Sequence, residues 1–476
     1  MEIQISVRNL VEFILRSGNI DNRKVAAPDN AMQEGGRIHR MIQGRMGSDY
    51  HSEVFLRYIY STEEYDIRVE GRADGIIIQA GGDIAQTPEL TDTEIEPASR
   101  DQVTVTIDEI KGTYRDLSRM KEAVDVHLAQ AKCYAYIYAH QNALRRIRVR
   151  ITYCNIDTEE IRYFHHEYEM EELSEWFEKV IGEYRKWADF QVEWQKLRQQ
   201  SIKEMVFPFD YRMGQKDLVT YVYQTIYHKR KLFIEAPTGV GKTISTLFPA
   251  VKAMGEGLSH KIFYLTAKTI TRTVADEAIE LMRKQNLKLK SVVLTAKDKI
   301  CFMEERECNP EYCPFAKGHY DRINDAIYDL LIHEDNFNRT AIESYARKHQ
   351  VCPFEMCLDM SLFADAVICD YNYVFDPVVY LKRFFADPMA NMIFLVDEAH
   401  NLVERAREMY SAVLYRREFR DVYRKLKNIK PKLARKVHKC GQFLKDYEEF
   451  RQEFGGSYAV VSEVGSFVIS LMRMIS

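Results

Sequence analysis

The sequence predicts an α/β chain: a front domain of mixed strands and helices, then a domain with a parallel sheet. Three observations predict it. Short runs such as IFYL (262–265) and MIFLV (392–396) are apolar at every position, which strands covered on both faces require, and they alternate with helical patterns. Ahead of them, VTVTIDEIK (103–111) and RIRVRITYCNI (146–156) alternate apolar and polar residues with the period of two of half-buried strands. Between the two regions, residues 171–205 are helical in period and heavily charged, the pattern of a connecting helix. A chain of 476 residues also exceeds what one core serves.

Composition narrows the function classes. A net charge of -4 means that nucleic-acid binding must come from local basic stretches rather than from the field of the whole chain. Two exist: RRIRVR (145–150) and RKLKNIKPKLARKVHK (424–439). The first apolar stretch is interrupted by Arg8, Glu12 and Arg16, so neither a signal peptide nor a membrane span is expected, and a cytoplasmic, nucleoid-associated protein is. Nine cysteines, an odd number, argue against a disulfide framework. Cys301, Cys308, Cys313, Cys352 and Cys357 fall in one short window, which points to a metal or cluster site.

In the front domain, EYDIRVEGRADGIIIQ (64–79) reads as a hairpin, and residues 81–99 as a long polar loop. HLAQAKCYAYIYAHQNAL (127–144) reads as an amphipathic helix, and EIRYFHHEYEM (160–170) as a further strand after RIRVRITYCNI. Along VTVTIDEIK, alternation places Val103, Val105, Ile107, Glu109 and Lys111 on one face and Asp108 and Ile110 on the other. Glu109 and Lys111 thus continue a core face, where charges need partners; a divalent metal and a lysine-held water would supply them. Asp74, between glycines that allow close approach, offers a second acid, and His39 in GGRIHRMIQ a further ligand. Gln130 and Tyr134 stand one helical turn apart, on one face.

The second domain opens on KLFIEAPTGVGKT, read as a strand, a loop and a helix start, followed by strands in KIFYLTAKT, SVVLTAKD, AVICDY and MIFLVDEAH. In the loop Pro237-Thr238-Gly239-Val240-Gly241-Lys242-Thr243, the glycines let backbone N–H groups face a phosphate, Lys242 reaches the β and γ phosphates of ATP, and Thr243 ligates Mg²⁺. Asp397, at a strand end, suits the metal's water shell, and Glu398 suits activation of the attacking water.

From FPFDYRMGQ onward the sequence resembles the superfamily 2 iron-sulfur DNA helicases of the XPD and DinG type. The resemblance implies that Arg212 and Gln215 of YRMGQ lie on the adenine side, that TAKT (266–269) is the next helicase motif, and that DYNYVFDP (370–377) contacts DNA. It also implies a [4Fe-4S] cluster on Cys301, Cys308, Cys313 and Cys352, with Cys357 surplus and Cys369 in the core. Zinc accepts four thiolates too, but the paired spacing usual for zinc is absent; buried inert cysteines are the remaining alternative.

The order of helix histidine, aspartate, E-x-K and Q-x-x-x-Y resembles the RecB and Cas4 branch of the PD-(D/E)xK nucleases. That resemblance implies Asp74 and Glu109 as Mg²⁺ or Mn²⁺ ligands, His39 assisting, Lys111 positioning the water, and Gln130 and Tyr134 supporting DNA or the site. Cas4-type relatives carry their own cysteine cluster, and with only Cys133 and Cys154 available the front domain is expected to lack one.

The expected domains are a PD-(D/E)xK nuclease-like domain (1–190), a connecting helix (191–206), a RecA-like domain (207–300 and 362–404), an inserted iron-sulfur domain (301–361) and the start of a helical arch (405–476). The last run, SFVISLMRMIS, carries no helix stop signal, and no second RecA-like domain or arginine finger is found. A fragment of a longer enzyme is therefore expected, one that by itself hydrolyses ATP and unwinds DNA poorly. The expected function is an ATP-dependent 5′ to 3′ helicase coupled to a metal-dependent nuclease acting on single-stranded or forked DNA in repair or recombination. The alternatives are a silent nuclease fold serving as a DNA-binding platform, and a nuclease that the helicase part only regulates.

Overall fold

The structure, a computed structural model, describes residues 2–23, 31–80, 103–237, 239–267, 269–385, 391–453 and 455–475. The loop at 81–99 and Thr238 lie outside the described residues. The chain divides into two compact units, Met1–Asp370 with Phe384–Asp397, and Tyr371–Arg383 with Glu398–Ser476.

The first unit opens with β1 (Glu2–Ser6), α1 (Val7–Ile14), α2 (Ala31–Gln43), β2 (Tyr50–Ser61), β3 (Asp66–Ala80), β4 (Val103–Thr113), α3 (Asp125–Asn142), β5 (Arg146–Asn155) and β6 (Ile161–Glu169). These strands make a six-stranded sheet, ordered β1-β3-β4-β5-β6 with β2 also on β3. Antiparallel β2–β3 and β3–β4 ladders meet the parallel pair β4–β5. Ser6 ends β1 and caps α1, its Oγ accepting from Asn9 N at 3.1 Å.

EYDIRVEGRADGIIIQ is not a hairpin in itself: β3 runs unbroken from Asp66 to Ala80 and pairs back on β2. Its glycines serve close approach instead of a turn. A Cβ on Gly71 would lie 2.5 Å from Tyr134 Oη, and one on Gly75 would lie 2.0 Å from Tyr50 Oη. The helix expected to be amphipathic, α3, is buried at Ala129, Ala131, Cys133 and every position from Tyr134 to Ala139. It has no polar stripe because it is packed between the sheet and the helices that flank it.

Both faces of β4 are covered. Val105 and Ile107 join the main front core, while Ile110 packs with Ile38, Ile42 and Cys154. Burial of each isoleucine stabilises by about 1.5–3 kcal/mol, so a one-residue slip of β4 costs several such contacts.

The charged stretch forms one helix of 35 residues, α4 (Met170–Glu204). Its first half gives Leu173, Phe177, Val180 and Ile181 to the front core; Ile202 near its end joins the core around the second sheet. Trp194 Nε1 donates to Asp365 Oδ2 at 3.0 Å, and Arg198 pairs with the other carboxylate oxygen.

After α4 come α5 (Gln215–Tyr227), α6 (Lys242–Gly255), β7 (Lys261–Thr266), α7 (Thr269–Arg283), β8 (Ser291–Val293), α8 (Lys297–Ile300), α9 (His319–His333), β9 (Asn336–Phe337), α10 (Arg339–His349), α11 (Pro353–Phe363), β10 (Ala366–Asp370) and β11 (Met392–Val396). The five-stranded sheet runs β11-β7-β10-β8-β9, and each of its ladders is parallel, as the all-apolar runs require. One expected strand is missing. Residues 231–237, which carry KLFIE, take no strand conformation, and Phe233 is 90% exposed. Among the described residues, the three apolar residues between Lys231 and Glu235 have no ladder partner, and β11 pairs with β7.

The second unit is helical: α12 (Asn372–Phe375), α13 (Lys382–Phe385, where the chain returns to the first unit), α14 (Leu402–Met409), α15 (Arg416–Leu426), α16 (Pro431–Glu453) and α17 (Gly465–Ile475). Residues 371–383 and 398–404, read from sequence with the sheet domain, fall in this unit. Tyr371, Leu381, Ala434, Val437, Cys440 and Phe467 are its buried apolar residues among those described. Among the described residues no helix is long and apolar enough to cross a membrane.

Candidate functional site

Three places gather the residues singled out above. In the front domain, β3, β4, α2 and α3 bring the first set together. Asp74 Oδ2 accepts from Ile110 N at 2.7 Å, and its Oδ1 lies 3.3 Å from His39 Nδ1. Lys111 Nζ sits 2.6 Å from Glu109 Oε1 and donates to Gln130 Oε1 at 3.2 Å. Tyr134 closes the floor through its approach to Gly71. Glu109 is 1% exposed, and its Oε2 has no hydrogen-bond partner among the described residues.

The charge balance of this pocket follows from its burial. Burial pushes the Glu109 carboxyl up to about 8, Asp74 adds to the rise, and Lys111 opposes it. For His39, burial pulls the imidazole down, but the hydrogen bond and charge of Asp74 outweigh it and the net direction is up. Among the described residues the ligand atoms brought within 4.8 Å of one another are those of His39, Glu53 and Asp74, a donor set that fits Mg²⁺ or Mn²⁺; Glu109, whose buried Oε2 has no donor, stands outside that group. Asp108 is excluded from the pocket, as the face reading expects: Arg150 Nε and Nη2 bind its two oxygens at 2.9 and 2.8 Å, and Thr152 Oγ1 donates to Oδ1. Glu53 of β2, which the sequence reading passed over, lies with His39 and Asp74 so that one ligand atom of each falls within 4.8 Å of the others.

Beside this pocket, His127 Nδ1 is 2.8 Å from Tyr153 Oη, which also accepts from Val124 N at 3.0 Å. Burial, reinforced by Lys111 and Arg115, pushes His127 from 6.5 down to about 4. The folded state therefore binds this proton more weakly than the unfolded chain, so the stability it carries is whole above 6.5 and is lost as pH falls toward 4. His127→Gln should flatten that acid limb. In thermal melts between pH 7 and 4, wild type is expected to lose on the order of 1–2 kcal/mol more than the variant. Equal losses would remove His127 from the explanation.

The phosphate-type loop lies at the start of α6. Gly239 and Gly241 have φ of 85° and 77°, the left-handed region that glycine adopts without strain. Gln215 is 3% exposed and ties the loop down: its Nε2 donates to Val240 O and Ser245 Oγ, both at 3.1 Å, and its Oε1 accepts from Arg212 N at 3.0 Å. Arg212 Nη1 donates to Gly239 O. In this structure Arg212 and Gln215 therefore hold the loop itself. Lys242 Nζ donates to Ala236 O at 3.2 Å, and Tyr264 Oη lies 3.5 Å from Thr243 Oγ1. Asp397 follows β11, its N–H bonded to Leu265 O of β7 at 2.9 Å. Glu398 opens the helical unit with φ 50°, and His400 Nδ1 is 3.4 Å from its Oε2.

Cys301, Cys308, Cys313 and Cys352 line a single pocket, with Ile20 and Lys297 also on its wall. Cys357 does not line it: that thiol is 1% exposed and bonded to Val293 O at 3.8 Å, and Cys369 is buried in β10. Burial lowers the proton affinity of Lys297, but the hydrogen bond to Cys308 and the charges of Cys308 and Cys352 more than restore it, so a cation stands beside the thiols. That suits an anionic tetrathiolate centre. A strap from the front domain seals one side: Tyr320 N donates to Gly18 O at 3.0 Å, Ile20 N to Ala316 O at 3.0 Å, and Asn22 N to Cys308 O at 2.8 Å.

The two basic stretches differ. In RRIRVR three of the four arginines pair on the sheet: Arg146 and Arg148 share Glu167, at 3.1 and 3.5 Å, and Arg150 holds Asp108, while Arg145 is exposed. Most of the run's charge is thus answered by cross-strand pairs. In the second stretch Lys427, Lys430, Lys432, Arg435, Lys436 and Lys439 are exposed.

Residues 267–419 match the family model DEAD_2. The chain is 23% identical over 241 residues to the Regulator of telomere elongation helicase 1 homolog of Caenorhabditis elegans, covering 41% of this chain and 24% of that protein. It is 26% identical over 215 residues to the Probable ATP-dependent helicase MJ0942 of Methanocaldococcus jannaschii, covering 45% and 32%. To the ATP-dependent DNA helicase DinG of Escherichia coli it is 23% identical over 246 residues, covering 44% and 34%. The chain spans about a quarter to a third of the length of these relatives. Over that part it is similar to superfamily 2 helicases of the XPD and DinG type.

Proposed function

We propose that the chain carries part of an ATP-dependent DNA helicase, with 5′ to 3′ polarity, joined to a metal-dependent DNA nuclease domain. The helicase half rests on the DEAD_2 match over 267–419 together with the glycine loop that starts α6. In this reading Gly239, Gly241, Lys242 and Thr243 receive the phosphates and Mg²⁺ of ATP, Asp397 holds the metal's water shell, and Glu398 orients the attacking water. The exposed Lys and Arg of α15 and α16 meet the DNA backbone.

The observation that carries the nuclease half is the meeting of His39, Asp74, Glu109, Lys111 and Gln130, from four separate elements, in one pocket. Asp74, Glu109 and His39 would hold a Mg²⁺ or Mn²⁺ ion, which when bound supplies Lewis-acid stabilisation of charge on a phosphodiester. Lys111, steadied by Glu109 and Gln130, orients the attacking water and steadies negative charge as the bond breaks. The four lining cysteines would hold a [4Fe-4S] cluster, whose part here is to order the segment between β8 and β10.

The test is cleavage of labelled single-stranded and forked DNA by the whole chain with Mn²⁺ or Mg²⁺, beside Asp74→Asn. Cutting by wild type that falls at least about a hundredfold in the variant is the expected result. DNA bound equally by both proteins and cut by neither would instead establish a binding platform with a silent nuclease fold.

A further inference from the structure

The strand registers place three carboxylates in one row across the front sheet. Ser52 pairs with Gly75 and Val54 with Ala73, which sets Glu53 of β2 opposite Asp74 of β3. Gly75 pairs with Asp108, which sets Asp74 next to Glu109 of β4. Asp74 and Glu109, opposite one another on neighbouring strands, point to the same side. At Glu53 the β2–β3 pairing itself is interrupted, and Glu53 takes φ 55°. Gln43 Nε2 spans the gap, donating to Asp74 O at 2.9 Å and to Glu53 Oε1 at 3.1 Å.

Repulsion should scatter such a row unless a cation joins it. Glu53, Asp74 and His39 already bring ligand atoms within 4.8 Å of one another. At the far end of the row Glu109 is 1% exposed, with Asp74 and His39 among its charged neighbours and no hydrogen-bond partner for its Oε2 among the described residues. Lys111 is the cation paired to its other oxygen.

We infer that Glu53 is a further ligand of the divalent ion, beside Asp74 and His39. This rests on the metal-site reading of Asp74 and Glu109 and extends it to β2. Oxygen-rich sites with one imidazole suit Mn²⁺ and Mg²⁺ more than Zn²⁺.

The experiment is Mn²⁺ binding to the whole chain, followed by the electron paramagnetic resonance signal of free Mn²⁺, with no DNA present. Glu53→Gln should weaken binding at least about tenfold, Asp74→Asn should abolish it, and Glu63→Gln, at an exposed position two residues past β2, should leave it unchanged. Glu53→Gly separates a ligand from a structural residue: glycine accepts φ 55° freely, so its melting temperature should equal or exceed wild type while Mn²⁺ binding falls as in Glu53→Gln. Wild-type affinity in Glu53→Gln and Glu53→Gly, with binding lost in Asp74→Asn, would overturn the assignment of Glu53. Absence of Mn²⁺ binding by wild type would overturn the metal-site reading on which it rests.

Discussion

Lys111→Ala is expected to lower metal-dependent DNA cleavage by about 10²–10⁴ while leaving DNA affinity within about twofold. The lysine is 24% exposed, so its ammonium reaches solvent, yet it is held from two sides: 2.6 Å from Glu109 Oε1 and 3.2 Å from Gln130 Oε1. Two anchors leave a donor of known direction for a water or a phosphate oxygen. Alanine removes that donor without touching Asp74 or His39, so Mn²⁺ binding should survive. Gln130→Ala, which frees the lysine but keeps it, should cost less than Lys111→Ala. Single-turnover cleavage with Mn²⁺ and binding measured with Ca²⁺ separate the two effects; an unchanged cleavage rate in Lys111→Ala would remove it from the chemistry.

Cys308→Ser is expected to empty the four-cysteine pocket: iron per chain falls from about four to below about one, and the broad visible absorbance of the cluster disappears. Cys308 is buried, lines the pocket, lies beside Lys297 and bonds through its carbonyl to Asn22 of the strap. Cluster binding is coupled to folding of the segment that supplies its ligands, so protease sensitivity between residues 301 and 352 should rise with the loss. Cys357→Ser is the control, because that thiol is bonded to Val293 O away from the pocket. Zinc in place of iron, without visible absorbance, would assign the same four thiolates to a zinc site. Equal iron in Cys308→Ser and Cys357→Ser would refute the ligand assignment.

What was legible in the sequence followed from periodicity. The parallel sheet could be anticipated because IFYL commits both faces to burial, and the exclusion of Asp108 because alternation along β4 admits no other outcome once Ile107 is inside; MIFLV reads as IFYL does, yet in β11 only Ile393 is buried and Phe394 is exposed. Contacts made in three dimensions were not legible. KLFIE has a strand's composition, yet whether a neighbouring edge offers it a ladder is decided elsewhere in the chain. GRADG has the composition of a turn, and only the rings of Tyr50 and Tyr134 show that its glycines admit side chains from other elements. Glu53, in HSEVFLRYIY, looks like any solvent-facing strand residue until the fold of β2 on β3 sets it beside Asp74. RRIRVR carries its answering charges on β6 and β4, which composition counts but cannot pair.

The strap between α1 and the cysteine pocket bears on how this protein can be taken apart. A truncated chain that begins beyond residue 23, intended to leave the helicase part whole, also loses Ile20 from the pocket wall and the Asn22 bond to Cys308 O. Such a truncation would change the cysteine region as well as remove the front domain, and a loss of activity in it could not be credited to either. Silencing the front pocket by Asp74→Asn leaves the strap in place, so point substitution, not domain excision, is the clean way to assign work to each half.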